Sequence, residues 1–205
     1  MQGGQRRLAG FTVPFMADAP DNTFELIVAG LDAFGDKVNA IPEERWLHPT
    51  PCSEWSVRDV VNHVTSEHLW APHLLRGETI AHVGDRYDGD VLGDDPLYAW
   101  QRASAFSRAA WEDASPDAVV HLSFGDNPAL EYGVQMLTDL VIHGWDVARG
   151  AGLDESIEPE AATVVLAYLE ANAKEWHAAG IFAAPVQIDS DDPAVRLLGL
   201  SGRQP

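Results

Sequence analysis

The chain has 205 residues, 46% of them hydrophobic, with 13 Lys and Arg against 32 Asp and Glu and a formal net charge of −19. That is one medium domain with its own core, and its charge repels phosphate backbones and anionic head groups, so no nucleic acid and no membrane surface is an expected partner. No run reaches the roughly 20 apolar residues of a membrane helix, the N-terminal apolar stretch is too short for a signal peptide, and the lone Cys52 excludes intrachain disulfides and multi-cysteine metal sites.

These exclusions point to a cytoplasmic protein. Residues 1–21 read as a disordered N-terminal extension, within which Met16 offers an alternative start. A single domain is expected over 22–205. Asn22 with Glu25 has the pattern of a capping box, and Ile27, Leu31, Phe34, Val38 and Ile41 then recur at helical spacing up to Pro42. Ser56 with Asp59 repeats the cap signature, with Trp55 and Val60 spaced as a hydrophobic staple, and opens a second helix running to about Gly77. The acidic, glycine-rich stretch from Gly77 to Asp95 has no period and reads as a long crossing loop. Asp95-Pro96 starts a third helix, with Leu97, Trp100, Phe106, Ala110 and Trp111 on its inner face. Val120, Leu122 and Phe124 alternate as a short strand or extended connection that turns at "GDNP". A long helix follows from about Ala129 to Gly150, and a last one runs from Pro159 to Gly180.

Helices of this kind bury their apolar stripes only against one another. An all-α fold follows: a four-helix bundle with one long crossover loop, an extra C-terminal helix and a short β-hairpin or strand.

The helix "TDLVIHGWDVARG" sets Asp139 and His143 among Leu137, Leu140, Val141, Ile142 and Val147, where an unpaired ion costs several kcal/mol. Four residues apart, the two share a helix face. The spacing alone is weak: chance gives about one such acid–His pair in this composition, and the chain has Glu44/His48, Asp59/His63, Glu78/His82, Asp117/His121 and Asp139/His143. Only the last lies in an apolar run. Either Asp139 and His143 satisfy each other, or Asp139 faces solvent, or both ligate a divalent ion such as zinc with a third ligand from another helix. His63, mid-helix in "VRDVVNHVTSEHLW", is the leading third ligand, with His68 and His73 in competition.

Three stretches, "PTPCSEWSVRDVVNH", "LTDLVIHGWDVARGAG" and "RLLGLSGRQP", together resemble the DinB/YfiT-like superfamily. The resemblance is to the branch of the N-terminal domain of mycothiol-dependent maleylpyruvate isomerase and its short stand-alone metal-binding relatives, and it covers the chain from about Asn22 onward. It implies a four-helix bundle holding zinc or nickel through three side chains. On this sequence they are His63 in the "W-x-V-x-D-x-x-x-H" stretch, with Asp139 and His143 in the acidic-x-x-x-His-x-W-Asp stretch. Where the isomerase has Glu, this chain has Asp139, one methylene shorter. Asp146, three residues after His143, either orients that ligand or is solvated near the helix end. Glu67, one turn beyond His63, is a candidate general base, against the plainer reading of an exposed helix Glu. Cys52 reads as a small buried apolar group, with no activating cation in its loop, and Trp46, Trp55 and Trp145 as packing at the bundle end.

In members of known activity the open metal position binds the thiol of a cofactor such as mycothiol or bacillithiol, and the thiolate attacks an electrophile. The implied function is a metal-dependent thiol transferase or isomerase acting on a small-molecule substrate, with mycothiol as the thiol cosubstrate and a homodimer as the assembly common in the superfamily. Alternatives are a metal-dependent hydrolase and a non-catalytic metal- or ligand-binding bundle. Maleylpyruvate isomerisation itself is not expected, because that enzyme uses a second, C-terminal α/β domain and this chain ends 25 residues after Gly180. The acidic loop from Gly77 to Asp95 is expected to border the site mouth.

Overall fold

The computed structural model describes residues 19–178, 180 and 182–205. The expected N-terminal extension lies, up to residue 18, outside the described residues. Helix α1 spans Thr23–Ala40 and buries Leu26, Ile27, Leu31, Phe34 and Val38 on one face. The capping box expected at Asn22 does not form. Its amide instead donates to Glu160 Oε1 at 2.8 Å, a tertiary partner that competes with the local cap. Helix α2, Val57–Leu75, starts as expected: Ser56 Oγ accepts from the Asp59 N–H, and Asp59 Oδ2 accepts from the Ser56 N–H at 2.9 Å.

The crossing loop is more ordered than its composition suggests. It contains a short helix α3, Ile80–Val83, capped by the Thr79 hydroxyl. It is pinned along one face of α2, where Arg58 binds Asp90 and the Gly93 carbonyl, Asn62 binds the Gly89 carbonyl and the Val91 N–H, and Ser66 donates to the Tyr87 carbonyl. Helix α4, Pro96–Asp113, buries Trp100, Ala103, Ser107 and Trp111. Leu97 and Phe106, expected on that face, are 39% and 55% exposed. The buried stripe keeps phase with Trp100, and Phe106 falls about 100° away from Ser107, beneath the Arg102 guanidinium at 5.9 Å.

Strands β1, Val119–Leu122, and β2, Gly125–Pro128, form an antiparallel hairpin in which Leu122 pairs with Gly125. "GDNP", expected as the turn, is therefore the second strand, and Ser123-Phe124 make the turn. The cross-strand His121–Asp126 hydrogen bond, at 2.7 Å, supports this register. Helix α5, Ala129–Ala151, follows, then α6, Pro159–Ala178, and α7, Pro193–Leu200, which periodicity did not reveal and which Asp192 caps.

Helix α1 packs on α4 and α5, and α2 packs on α4 and α5, so the four close into a bundle, with α6 against α5 and α7 against α6. Helix α5 is buried around most of its circumference. Its C-terminal end comes close to the loop before α2 because residue 150 is glycine: a Cβ there would lie 2.8 Å from Val57 Cγ2 and 3.1 Å from the Pro49 carbonyl oxygen. That approach brings the loop carrying Trp55, and with it α2, over the α5 face that bears Asp139 and His143. No helix of the described residues is long and apolar enough to cross a membrane.

Candidate metal centre

Three sequence-predicted residues meet at the α2–α5 interface. His63 Nε2 lies 3.0 Å from Asp139 Oδ2, and His143 Nε2 lies 3.4 Å from Asp139 Oδ1. One ligand atom from each of the three falls within 4.8 Å of the others. Four-coordinate zinc with bonds near 2.0–2.1 Å separates neighbouring donors by roughly 3.4 Å, so the spacing suits a small divalent ion.

Asp139 places Oδ2 3.0 Å from His63 Nε2 and Oδ1 3.4 Å from His143 Nε2, so one carboxylate meets imidazoles from two helices. Two imidazoles and a carboxylate are also the donor set that borderline divalent ions favour. The residues present fit the ion.

Behind this group lies a layer of support. Asp146 is wholly buried rather than solvated near the helix end, and it accepts from His143 Nδ1 at 2.9 Å. Its carboxylate also receives Arg203 at both oxygens, Nη2 to Oδ2 at 2.7 Å and Nε to Oδ1 at 3.2 Å. Sequence reading missed Arg203; its place in the "LSGRQP" ending was the one signal available. Trp55 roofs the two imidazoles, its ring 5.0 Å from His63 and stacked 5.8 Å from His143.

The competitors go elsewhere. His68, fully buried, bonds Ser107 Oγ through Nδ1 at 2.8 Å and faces α4. His73 bonds Glu78 and the Tyr87 hydroxyl. Of the other acid–His spacings, Asp59 serves the α2 cap and His121 pairs with Asp126 rather than Asp117. Glu67 is half-buried on α2, and its charge acts on both His63 and the buried Tyr132. The crossing loop lies against the α2 face next to the one bearing His63 and Glu67.

Electrostatics binds the group together. Burial disfavours the His63 imidazolium, but the Asp139 charge beside it, helped by Glu67, outweighs burial and pushes its pKa up to about 9. Burial works against the Asp139 carboxylate too, yet His63 and His143 hold it well below the usual carboxylate range. Cys52 packs half-buried beside Asp146 and His143. Burial first, and then the Asp146 charge, push its thiol up to about 11, despite Arg203 nearby. Cys52, His143 and Asp146 also cluster within 4.8 Å, but both Asp146 oxygens are committed to Arg203 and His143, so this second cluster does not suit an ion.

A helical bundle with a candidate three-ligand centre between two of its helices is the DinB-like arrangement, and comparison with known proteins gives the family. Residues 27–148 match the family profile described as mycothiol maleylpyruvate isomerase N-terminal domain. The chain belongs to that family, a branch of the DinB-like superfamily. It is 29% identical over 143 residues to "Uncharacterized protein MT0763" and, equally, to "Uncharacterized protein Rv0738", from the CDC 1551 / Oshkosh and ATCC 25618 / H37Rv strains of Mycobacterium tuberculosis. Each match covers 66% of this chain and 71% of the relative. The fold is similar to the crystal structure of a histidine-to-alanine mutant of mycothiol-dependent maleylpyruvate isomerase, with TM-score 0.60 and 18% identity over 80% of this chain and 73% of that one.

Proposed function

We propose that the chain is a divalent-metal-dependent transferase or isomerase that uses a low-molecular-weight thiol of the mycothiol class on a small electrophile, with residues 22–205 as one domain. The observation that carries this reading is the convergence of His63, His143 and Asp139, one ligand atom from each within 4.8 Å of the others. Membership of a family described by mycothiol maleylpyruvate isomerase supports the thiol.

In this reading His63, Asp139 and His143 hold a zinc or nickel ion. A bound ion supplies the Lewis acidity that makes a thiol nucleophilic at neutral pH. Asp146 takes the Nδ1 proton of His143 as a hydrogen bond and leaves Nε2 facing the centre. Trp55 packs against one side of both imidazoles. In this reading Glu67, one turn along α2 from His63, would take up the proton that the incoming thiol releases.

The test is metal analysis of tag-free protein by inductively coupled plasma mass spectrometry, beside His63→Ala and His143→Ala, followed by thiol-conjugation assays with mycothiol and small electrophiles. Near-stoichiometric zinc or nickel, lost in both variants, with turnover that requires the added thiol, is the expected result. Turnover without thiol would move the assignment to a hydrolase. No metal, even after incubation with excess ion, would remove the enzymatic reading.

A further inference from the structure

We propose that Arg203 is a positioning residue for His143, acting through Asp146, so that the C-terminal turn of the chain completes the metal centre. This rests on the three-ligand reading above. Arg203 is 6% exposed and Asp146 wholly buried. The guanidinium grips both carboxylate oxygens, at 2.7 and 3.2 Å, while its Nη1 donates to the Ser201 carbonyl at 2.7 Å. A carboxylate held at two points cannot rotate about its Cβ–Cγ bond. Oδ2 is thereby fixed where His143 Nδ1 donates to it at 2.9 Å.

A neutral imidazole carries its proton on one nitrogen, and the hydrogen bond at that nitrogen decides which. A fixed acceptor at Nδ1 leaves the Nε2 lone pair free on the side of Asp139, where a ligand needs it. Arg203 thus acts on the ligand tautomer and ring angle without touching the centre itself.

The turn that delivers Arg203 is tightly specified. The Arg203 N–H bonds the Leu198 carbonyl at 2.8 Å at the end of α7. Gly202 sits at φ +80, and a Cβ there would come within 2.7 Å of Ala183 Cβ. A left-handed residue pressed against neighbouring chain admits glycine and little else. Arginine, with its planar fork, meets both oxygens where lysine meets one. A pair of charges whose only work was to hold the tail would be an expensive anchor at this depth.

The experiment is Co²⁺ titration of the metal-stripped full chain, followed by visible absorption, with thermal unfolding of the metal-free protein in parallel. Arg203→Ala is expected to weaken Co²⁺ binding about 10–100-fold, the range seen when a ligand's supporting partner is lost, and to alter the d–d bands. Arg203→Lys should fall between it and wild type. The double variant Arg203→Ala/Asp146→Asn should bind no more weakly than Asp146→Asn alone, because the arginine acts through that carboxylate. Arg196→Ala, which breaks the exposed pair between Arg196 on α7 and Glu170 on α6, should leave affinity and spectrum unchanged. Wild-type affinity and spectrum in Arg203→Ala, whatever its stability, would overturn the proposal, as would additive losses in the double variant. If Arg203→Ala does not fold, Arg203→Lys decides: wild-type affinity and spectrum there would overturn it equally. Failure of the wild-type protein to bind Co²⁺ or Zn²⁺ at all would instead overturn the three-ligand reading.

Discussion

Asp139 Oδ2 lies 3.0 Å from His63 Nε2 across the α2–α5 interface, while its Oδ1 lies 3.4 Å from His143 Nε2 on its own helix. One carboxylate between two imidazoles is the arrangement that a shared divalent ion needs. Asp139→Asn keeps the shape and removes the charge. It is expected to weaken Zn²⁺ binding roughly 100-fold or more, above the range produced by loss of a ligand's supporting partner. Competition with a chromophoric chelator measures it, and unchanged affinity would remove Asp139 from the ligand set.

The metal-free protein should lose stability as the pH rises above neutrality. The folded pKa of His63, about 9, stands above its ordinary 6.5 because the Asp139 charge, with Glu67, outweighs burial. Such a group's contribution is fully present below pH 6.5 and is lost as the pH climbs through 9. Urea midpoints in the presence of chelator should therefore fall between pH 6.5 and 9, and His63→Gln should flatten that fall. Metal must displace the same proton, so affinity should climb across the window.

His68 gives the opposite slope at lower pH. Burial pushes its pKa down to about 4 despite the Asp139 charge, with Nδ1 on Ser107 and no hydrogen bond at Nε2. A folded pKa below the unfolded 6.5 means that the unfolded chain takes up the proton first. Stability is then fully present above pH 6.5 and lost progressively as the pH falls toward 4, by up to about 3 kcal/mol at one 1.36 kcal/mol step per pH unit. His68→Leu should reduce the difference in unfolding free energy between pH 7.5 and pH 4.5, read by urea denaturation. An undiminished difference would place the acid lability elsewhere.

Cys52 should be a poor nucleophile. Its thiol is pushed up to about 11, chiefly by burial and then by the Asp146 charge, so little thiolate exists at neutral pH. Its reaction with a disulfide reagent in the native protein should be at least about tenfold slower than in urea-unfolded chain. Equal rates would show the thiol exposed and unperturbed.

Much of this protein was legible locally. Helices α1, α2, α4, α5 and α6 announce themselves by apolar residues at helical spacing, because 3.6 residues per turn is set by backbone geometry alone. The Ser56/Asp59 cap is equally local, and an i,i+4 spacing is enough to put Asp139 and His143 on one face. The sequence motifs also led to the right family, and the α2 histidine they single out, His63, is the one that meets Asp139 in the fold. Local reading failed in two ways: the distant Glu160 drew Asn22 away from its cap, and the stripe of α4 leaves Phe106 outside, under Arg102 one turn away on the same helix.

Tertiary structure alone decided who faces whom. His63 and His68 are five residues apart, about 140° around one helix, so once α2 packed, one imidazole met Asp139 and the other met Ser107 on α4. No periodicity distinguishes them, since both sit mid-helix among apolar neighbours. Asp146 and Arg203 are 57 residues apart, joined only because α6 and α7 fold back to return the C-terminal turn to α5. Spacing along one helix is a property of that helix, whereas a hydrogen bond between elements depends on the packing of every element between them.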